Sequence, residues 1–350
     1  MKCTWIRLPN TVDRSSYVFC LLFLFLPFLS IGQTTSHNKT WYFGCGQTVQ
    51  FIPSGPVVGM GLPTPPPQNL YSLHSGPGKA SIAVNNEQGL LQFFVQVNGI
   101  VQPTAAMTYV ANAPKVFNRN GQPFANGNIA ANYADGNSGN PLVVPHPGNP
   151  QQYYLFYVHN SALLYSLVDM SLNNGLGDIV ADHKDKPLTA YGKVIGRKIT
   201  TVKGCSQQVW LIARSRTANE YYSFAIRPTG IDTQTIVSAT GMSNVAQYVN
   251  LIGTYWGGVL KASNNGKHLV AGTNSGIKLY DFEPCSGKLK NARKIDTAGA
   301  LGLCFSPDDT KLYSTQLEQE WGTVDRGKVY QYAFDATNLN ATQASKTLVL

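Results

Sequence analysis

Charge is scarce in this chain. Asp, Glu, Lys and Arg make up 13% of its 350 residues, about half the share of an average soluble protein. Hydrophobic residues are 43%, so an extended chain kept open by charge and low hydrophobicity is excluded. Helical periodicity is also missing: no segment carries apolar residues on a 3.6-residue spacing long enough to build a bundle. Beyond the first thirty-odd residues no apolar run reaches the length of a membrane-spanning helix. Nucleophile elbow, P-loop, zinc spacing and dinucleotide fingerprint are all absent, as are CxxC pairs. No catalytic residue, cofactor or metal is therefore expected.

What is present begins with a leader. Lys2, Arg7 and Arg14 precede an apolar run from Tyr17 to Phe28, and the small residues Ser30 and Gly32 follow. This is the three-part layout of a secretory signal peptide over residues 1–32, with cleavage expected between Gly32 and Gln33. Cys20 lies inside the apolar run rather than at its end, which argues against a lipoprotein. Residues 33–350 are then one secreted, cell-surface or periplasmic domain. Loss of the leader leaves 24 basic against 17 acidic residues, about +7. The basic residues are densest at Lys184–Lys203 and Lys288–Lys294. Without interleaved aromatics they read as a solvated face, and no nucleic-acid partner is expected.

Four cysteines survive cleavage: Cys45, Cys205, Cys285 and Cys304. An oxidising compartment permits disulfides, and three full pairings are open. Cys205 and Cys285 sit in turn-like stretches beside Gly or Ser and are the pair to test. Cys304, inside Leu301-Gly-Leu-Cys-Phe305, is expected as a buried free thiol.

The strongest signal is a repeat of β run, turn and β run. Leu260-Lys-Ala-Ser-Asn-Asn-Gly-Lys-His-Leu-Val-Ala-Gly272 aligns with Leu303-Cys-Phe-Ser-Pro-Asp-Asp-Thr-Lys-Leu-Tyr-Ser314, placing Ser263 on Ser306 and Asn265-Gly266 on Asp308-Asp309. Both centres are tight-turn sequences, and the flanks are β-branched and aromatic. Looser copies place Phe93, Leu155 and Trp210 level with Leu269 and Leu312. The spacing suits the four-stranded blades of an all-β propeller, with five to six blades visible. A sixth is drawn from Trp41-Tyr-Phe-Gly44 and Lys79-Ala-Ser-Ile-Ala-Val84, which could equally be outer strands of the first blade. A two-sheet sandwich would need fewer strands and would not explain the recurring turn. The chain stops on the strand-like Ser345-Lys-Thr-Leu-Val-Leu350, so the propeller is expected to be incomplete or to need a partner to close it.

Trp41-Tyr-Phe-Gly44, Val116-Phe-Asn-Arg-Asn-Gly121, Leu142-Val-Val-Pro-His-Pro-Gly-Asn-Pro150 and Phe305-Ser-Pro-Asp308 occur in that order. With the block Leu164-Tyr-Ser-Leu-Val-Asp-Met-Ser-Leu-Asn-Asn-Gly-Leu-Gly-Asp178, they resemble the N-terminal propeller regions of secreted surface proteins of Bacteroidota, many exported by type IX secretion. The resemblance implies a seven-bladed type of propeller and a role outside the inner membrane. It carries over no catalytic residue. Such relatives continue into adhesive modules and a C-terminal sorting domain, which these 350 residues do not contain.

Several weaker groupings remain. Asp135-Gly-Asn-Ser-Gly-Asn140 has an incomplete calcium-loop pattern and reads first as a turn. Asp178, Asp182, His183 and Asp185 could bind a cation or form a carboxylate–imidazole pair, although Lys184 and Lys186 would compete. His146 and His159 flank one strand and could line a pocket. Tyr221, Tyr222 and Trp256 could stack on sugars, though core packing is the simpler reading. The resulting expectation is a binding module for a protein or glycan at the cell envelope. The alternative is an envelope lyase, lactonase or glycosidase with its site in the central channel.

Overall fold

The computed structural model describes residues 40–44, 47–52, 55–60, 80–97, 99–101, 109–111, 115–131, 141–189, 193–216, 218–232, 234–240, 259–273, 276–300, 302–318 and 326–349. The leader with Gly32 and Gln33, the Asp135–Asn140 loop and Trp256 lie outside them.

The described chain is all-β with short helical turns. Strands β1 (Thr40–Gly44), β2 (Gln47–Ile52) and β3 (Gly55–Met60) form a three-stranded antiparallel sheet. The first blade follows, with β4 (Ala80–Asn85) and β5 (Leu91–Val97), a two-stranded ribbon of β6 (Gly99–Val101) and β7 (Tyr109–Ala111), then β8 (Lys115–Asn118) and β9 (Pro123–Asn128). The second is β10 (Leu142–Pro145), β11 (Gln152–His159), β12 (Ala162–Asp169), and an outer position divided between β13 (Asp178–Ile179) and β14 (Lys186–Pro187). The third is β15 (Val194–Lys203), β16 (Val209–Ser215), β17 (Glu220–Arg227), and an outer position divided between β18 (Gly230–Ile231) and β19 (Ile236–Ala239). The fourth is β20 (Leu260–Ala262), β21 (His268–Thr273), β22 (Gly276–Glu283) and β23 (Lys288–Asp296). The fifth is β24 (Gly302–Phe305), β25 (Lys311–Glu318), β26 (Arg326–Ala333) and β27 (Thr347–Leu348), with a helix over Leu339–Ala344.

Each blade is an antiparallel meander, and the cores lie between blades. Tyr153, Leu155 and Tyr157 of β11 pack with Phe93, Val95 and Val116 of the first blade. The alternate residues Tyr154, Phe156 and Val158 pack with Leu211, Ala213 and Phe224 of the third. The same alternation joins the third blade to the fourth through Trp210, Ile212 and Tyr280. It joins the fourth to the fifth through Val270, Leu279, Phe305 and Leu312. A strand exposes successive side chains on opposite faces, so a sheet buried on both faces serves two neighbours at once. Four successive inter-blade cores are what a propeller requires, whereas a sandwich would share a single core between two sheets. Consecutive first strands are neighbours, β10 beside β15, β15 beside β20 and β20 beside β24.

Phe93, Leu155, Trp210, Leu269 and Leu312 all fall on the second strand of their blades. The two segments of the arguable sixth unit separate. Ala80–Asn85 is the first strand of the first blade, and Thr40–Gly44 heads the three-stranded sheet, with β1 beside β4. Neither is an outer strand of the first blade.

One expectation is corrected. Cys304 is exposed, because Leu303 and Phe305 take the buried face of β24 and alternation turns the residue between them outward.

Candidate binding cleft

The turns joining first to second strands in the fourth and fifth blades share one geometry, and that of the first blade closes in a similar way over one residue fewer. In the fifth blade Ser306 N–H donates to the Lys311 carbonyl (2.9 Å), Lys311 N–H donates back to Ser306 Oγ (2.9 Å), and Asp309 takes φ 57°. In the fourth, Ser263 and His268 exchange the same pair of bonds and Gly266 takes φ 70°. In the first, Asn86 N–H donates to the Leu90 carbonyl, and Gly89 takes φ 81°. A tight turn closed by a polar side chain leaves its tip projecting from the blade.

These tips build a cleft of about 990 Å3 across the first three blades. Asn86, Glu87 and Gln88 come from the first blade's turn, Pro145, His146, Pro147, Pro150 and Gln151 from the second's, and Gln207 from the third's. Gly148 holds the second turn against the third blade, since a Cβ there would lie 2.4 Å from the Pro228 carbonyl oxygen. Arg119 Nη1 donates to the Gly175 carbonyl at 2.6 Å, tying the loop after β12 to the first blade.

His146 is a fixed part of this wall. Its Nδ1 accepts from Gly148 N–H at 3.0 Å, and its ring stacks on Tyr154 with centroids 5.1 Å apart. Partial burial holds its pKa below the usual imidazole value, so the neutral ring with its proton on Nε2 dominates near pH 7. Beside it stand the amides of Gln88, Gln92 and Gln151, and Glu87 is the one carboxylate among the lining residues. Amides offer donors and acceptors together, the chemistry that suits a hydroxyl-rich ligand.

The chain matches no protein-family model and no curated protein. Solved structures that resemble it include a functionally unknown protein from Desulfotomaculum acetoxidans DSM 771, with TM-score 0.46 and 11% identity over 82% of this chain and 75% of that one. Another is Hsv2 of Kluyveromyces lactis, with TM-score 0.39 and 10% identity over 74% of this chain and 73% of that one. A third is the GH43 β-1,3-galactosidase BT3683 with galactodeoxynojirimycin, with TM-score 0.38 and 8% identity over 72% of this chain and 94% of that one.

The other groupings are dispersed. His146 and His159 sit at opposite ends of β11, roughly 23 Å apart along the strand, so they share no pocket. Asp178 is buried and accepts from the backbone N–H of Asn126 (3.0 Å) and Ile179 (2.8 Å). Asp185 accepts from Ala130 N–H and from the Tyr157 hydroxyl. These two carboxylates fasten the second blade to the first, while Asp182 and His183 stand exposed. No cluster of three or more metal-ligating side chains occurs among the described residues. Tyr221 is fully buried against Tyr280, and Tyr222 is half-buried with its hydroxyl on Ser215 Oγ. Tyr221 is therefore core rather than a sugar platform.

Two features escaped sequence reasoning. The cleft unites turns 60 residues and more apart, and only the turn chemistry hinted at their common face. Lys198, in a stretch read as solvated, is 5% exposed.

The structure joins Cys205 to Cys285. This links the first turn of the third blade to the last turn of the fourth. Trp210 Nε1 donates to the Pro284 carbonyl at 2.7 Å across the same junction.

Proposed function

We propose that this protein is a non-catalytic binding module, exported by its leader to the cell envelope, that holds a glycan in the cleft between the turns of its first three blades. The observation that carries the reading is the lining: several amides, the neutral His146 and one carboxylate on rigid turns. Most glycosidases set two carboxyl groups across the bond they break, and Glu87 is the single carboxylate among the described lining residues. The Bacteroidota surface-protein resemblance supports the same placement outside the inner membrane.

The test is a glycan array followed by calorimetry on the best ligand. Gln88→Ala with Gln151→Ala is expected to weaken binding about tenfold, about 1.4 kcal/mol, from the loss of hydrogen bonds to hydroxyls. The melting temperature should hold, because both side chains are exposed. Release of shortened sugars or opened lactones, abolished by Glu87→Gln, would establish the envelope enzyme instead. Binding of a protein but no glycan would also overturn the glycan assignment.

A further inference from the structure

The ammonium of Lys346 sits in a pocket built by the fourth and fifth blades. Its Nζ donates to Asp296 Oδ2 at 2.9 Å and to Gln316 Oε1 at 3.1 Å. The Tyr330 ring centre lies 4.3 Å from Nζ, and the Tyr332 ring centre 6.0 Å. A carboxylate, an amide oxygen and two aromatic rings around one nitrogen are the parts from which proteins assemble recognition sites for organic cations.

The walls come from two blades and hold one another. Asp296 is the last residue of β23 in the fourth blade, while Gln316 lies on β25 and both tyrosines on β26 in the fifth. Register pairs Leu312 with Tyr332 and Ser314 with Tyr330, which sets Gln316 and the two rings on the face turned to the fourth blade. The Tyr332 hydroxyl donates to Asp296 Oδ2 at 2.6 Å, and Ala298 N–H donates to Asp296 Oδ1 at 2.9 Å. Gln316 Nε2 donates to Ser314 Oγ and to the Tyr332 hydroxyl, each at 3.1 Å. None of these bonds involves Lys346, so the pocket keeps its shape independently of the group inside it.

The lysine arrives on a thin strap. Buried Thr342 exchanges hydrogen bonds with the Asp335 backbone and anchors the helix over Leu339–Ala344. Ser345 Oγ then accepts from Ala333 N–H at 2.8 Å. Past Lys346, β27 is two residues long, both exposed, and pairs with Tyr330 and Gln331 of β26. Val349 N–H adds one bond to the Val329 carbonyl at 2.8 Å. The Lys346 side chain is 26% exposed against 7% for Asp296, so the pocket opens to solvent along the lysine stem.

We infer that Asp296, Gln316, Tyr330 and Tyr332 form a binding site for an alkylammonium group, which Lys346 fills from its own chain until an outside amine takes its place and frees β27. The contacts define the ligand class. A lysine ammonium has three N–H donors. Asp296 and Gln316 take two, which leaves one position for a methyl group. A primary or singly methylated amine keeps both hydrogen bonds, whereas a quaternary ammonium keeps neither. The site lies at the end of the fourth and fifth blades opposite their first turns. It is separate from the cleft and stands whether or not the cleft binds glycans.

The experiment is thermal melting and amide hydrogen exchange of the purified protein with n-propylammonium chloride, against sodium chloride and tetramethylammonium chloride at equal ionic strength. Propylammonium carries the atoms that Lys346→Ala removes. In that variant the buried Asp296 carboxylate has lost its cation, and propylammonium is expected to raise the melting temperature beyond both control salts. The rise should vanish when Asp296→Asn is added. In the wild type, propylammonium should speed exchange of the Val349 amide several-fold and leave the β25 amides unchanged. Should Lys346→Ala not fold, the wild-type exchange measurement decides alone. N-acetyl-lysine methylamide serves as a third arm: binding tighter than propylammonium identifies a lysine of a partner chain as the source of the amine, and binding no tighter identifies the free amine. A melting rise no larger than with the control salts, or one that survives Asp296→Asn, overturns the proposal. Unchanged exchange at Val349 in the wild type also overturns it, because Lys346 is then a fixed structural pair.

Discussion

Lys198 and Asp296 show two ways in which this fold handles a buried charge. Burial alone would raise the Asp296 carboxyl, but hydrogen bonds from Ala298 N–H, the Tyr332 hydroxyl and Lys346 outweigh it and leave its pKa below the ordinary 3.8. A carboxyl with a lowered folded pKa contributes stability above its unfolded value and loses it as pH falls through the folded one. Asp296→Asn should therefore reduce the loss of stability seen on acidification below about pH 4, measured by urea denaturation across pH. Lys198 runs the other way. Its folded pKa of about 7 lies below the ordinary 10.5, so its contribution to stability improves as pH rises between those values. At pH 7, Lys198→Met is expected to stabilise the fold by about 1–4 kcal/mol and to flatten that dependence. The sequence showed Lys198 only as a member of a basic stretch, and neither burial was legible there. Burial depends on which neighbour the blade face meets.

The recurring elements are the first turns and the links between them. Asp309, in the fifth blade's turn, accepts from Asn264 N–H (2.7 Å), Asn264 Nδ2 (2.8 Å) and Asn265 N–H (2.8 Å) of the fourth blade's turn. One blade's turn thus caps the next. Asp309→Ala should cost about 1–2 kcal/mol for these partly exposed bonds, and amide exchange at Asn264 and Asn265 should speed up. The turn alignment of Asn265-Gly266 with Asp308-Asp309 was readable because Asx and Gly chemistry is local. The latch between turns was not, because it needs the two blades side by side. The Cys205–Cys285 bridge closes 80 residues of sequence separation. Loop-closure entropy over that span predicts that replacing both cysteines by serine costs roughly 4 kcal/mol, read from denaturation midpoints with and without reductant. Gly287 adds to the same junction, where a Cβ would lie 2.6 Å from the Trp210 ring.

At the scale of the whole molecule, stability resides in the contacts between blades. Phe156 is fully buried in the core shared by the second and third blades, and Phe156→Ala should cost about 3–5 kcal/mol in equilibrium unfolding. Because each sheet serves two interfaces, that loss should weaken both flanking blades, and hydrogen exchange should report faster opening in β11 and β16 alike. The all-β class, the blade repeat, the second-strand positions and the turn chemistry were set by sequence alone, since alternation, β-branching and Asx–Gly turns act over a few residues. Only the tertiary structure decided that Cys304 faces outward, that Tyr221 is core, that the amide-lined cleft spans three blades and that Lys198 is buried. Each of these depends on which face of a strand meets which neighbouring blade, a relation between residues far apart in the chain that local pattern does not encode.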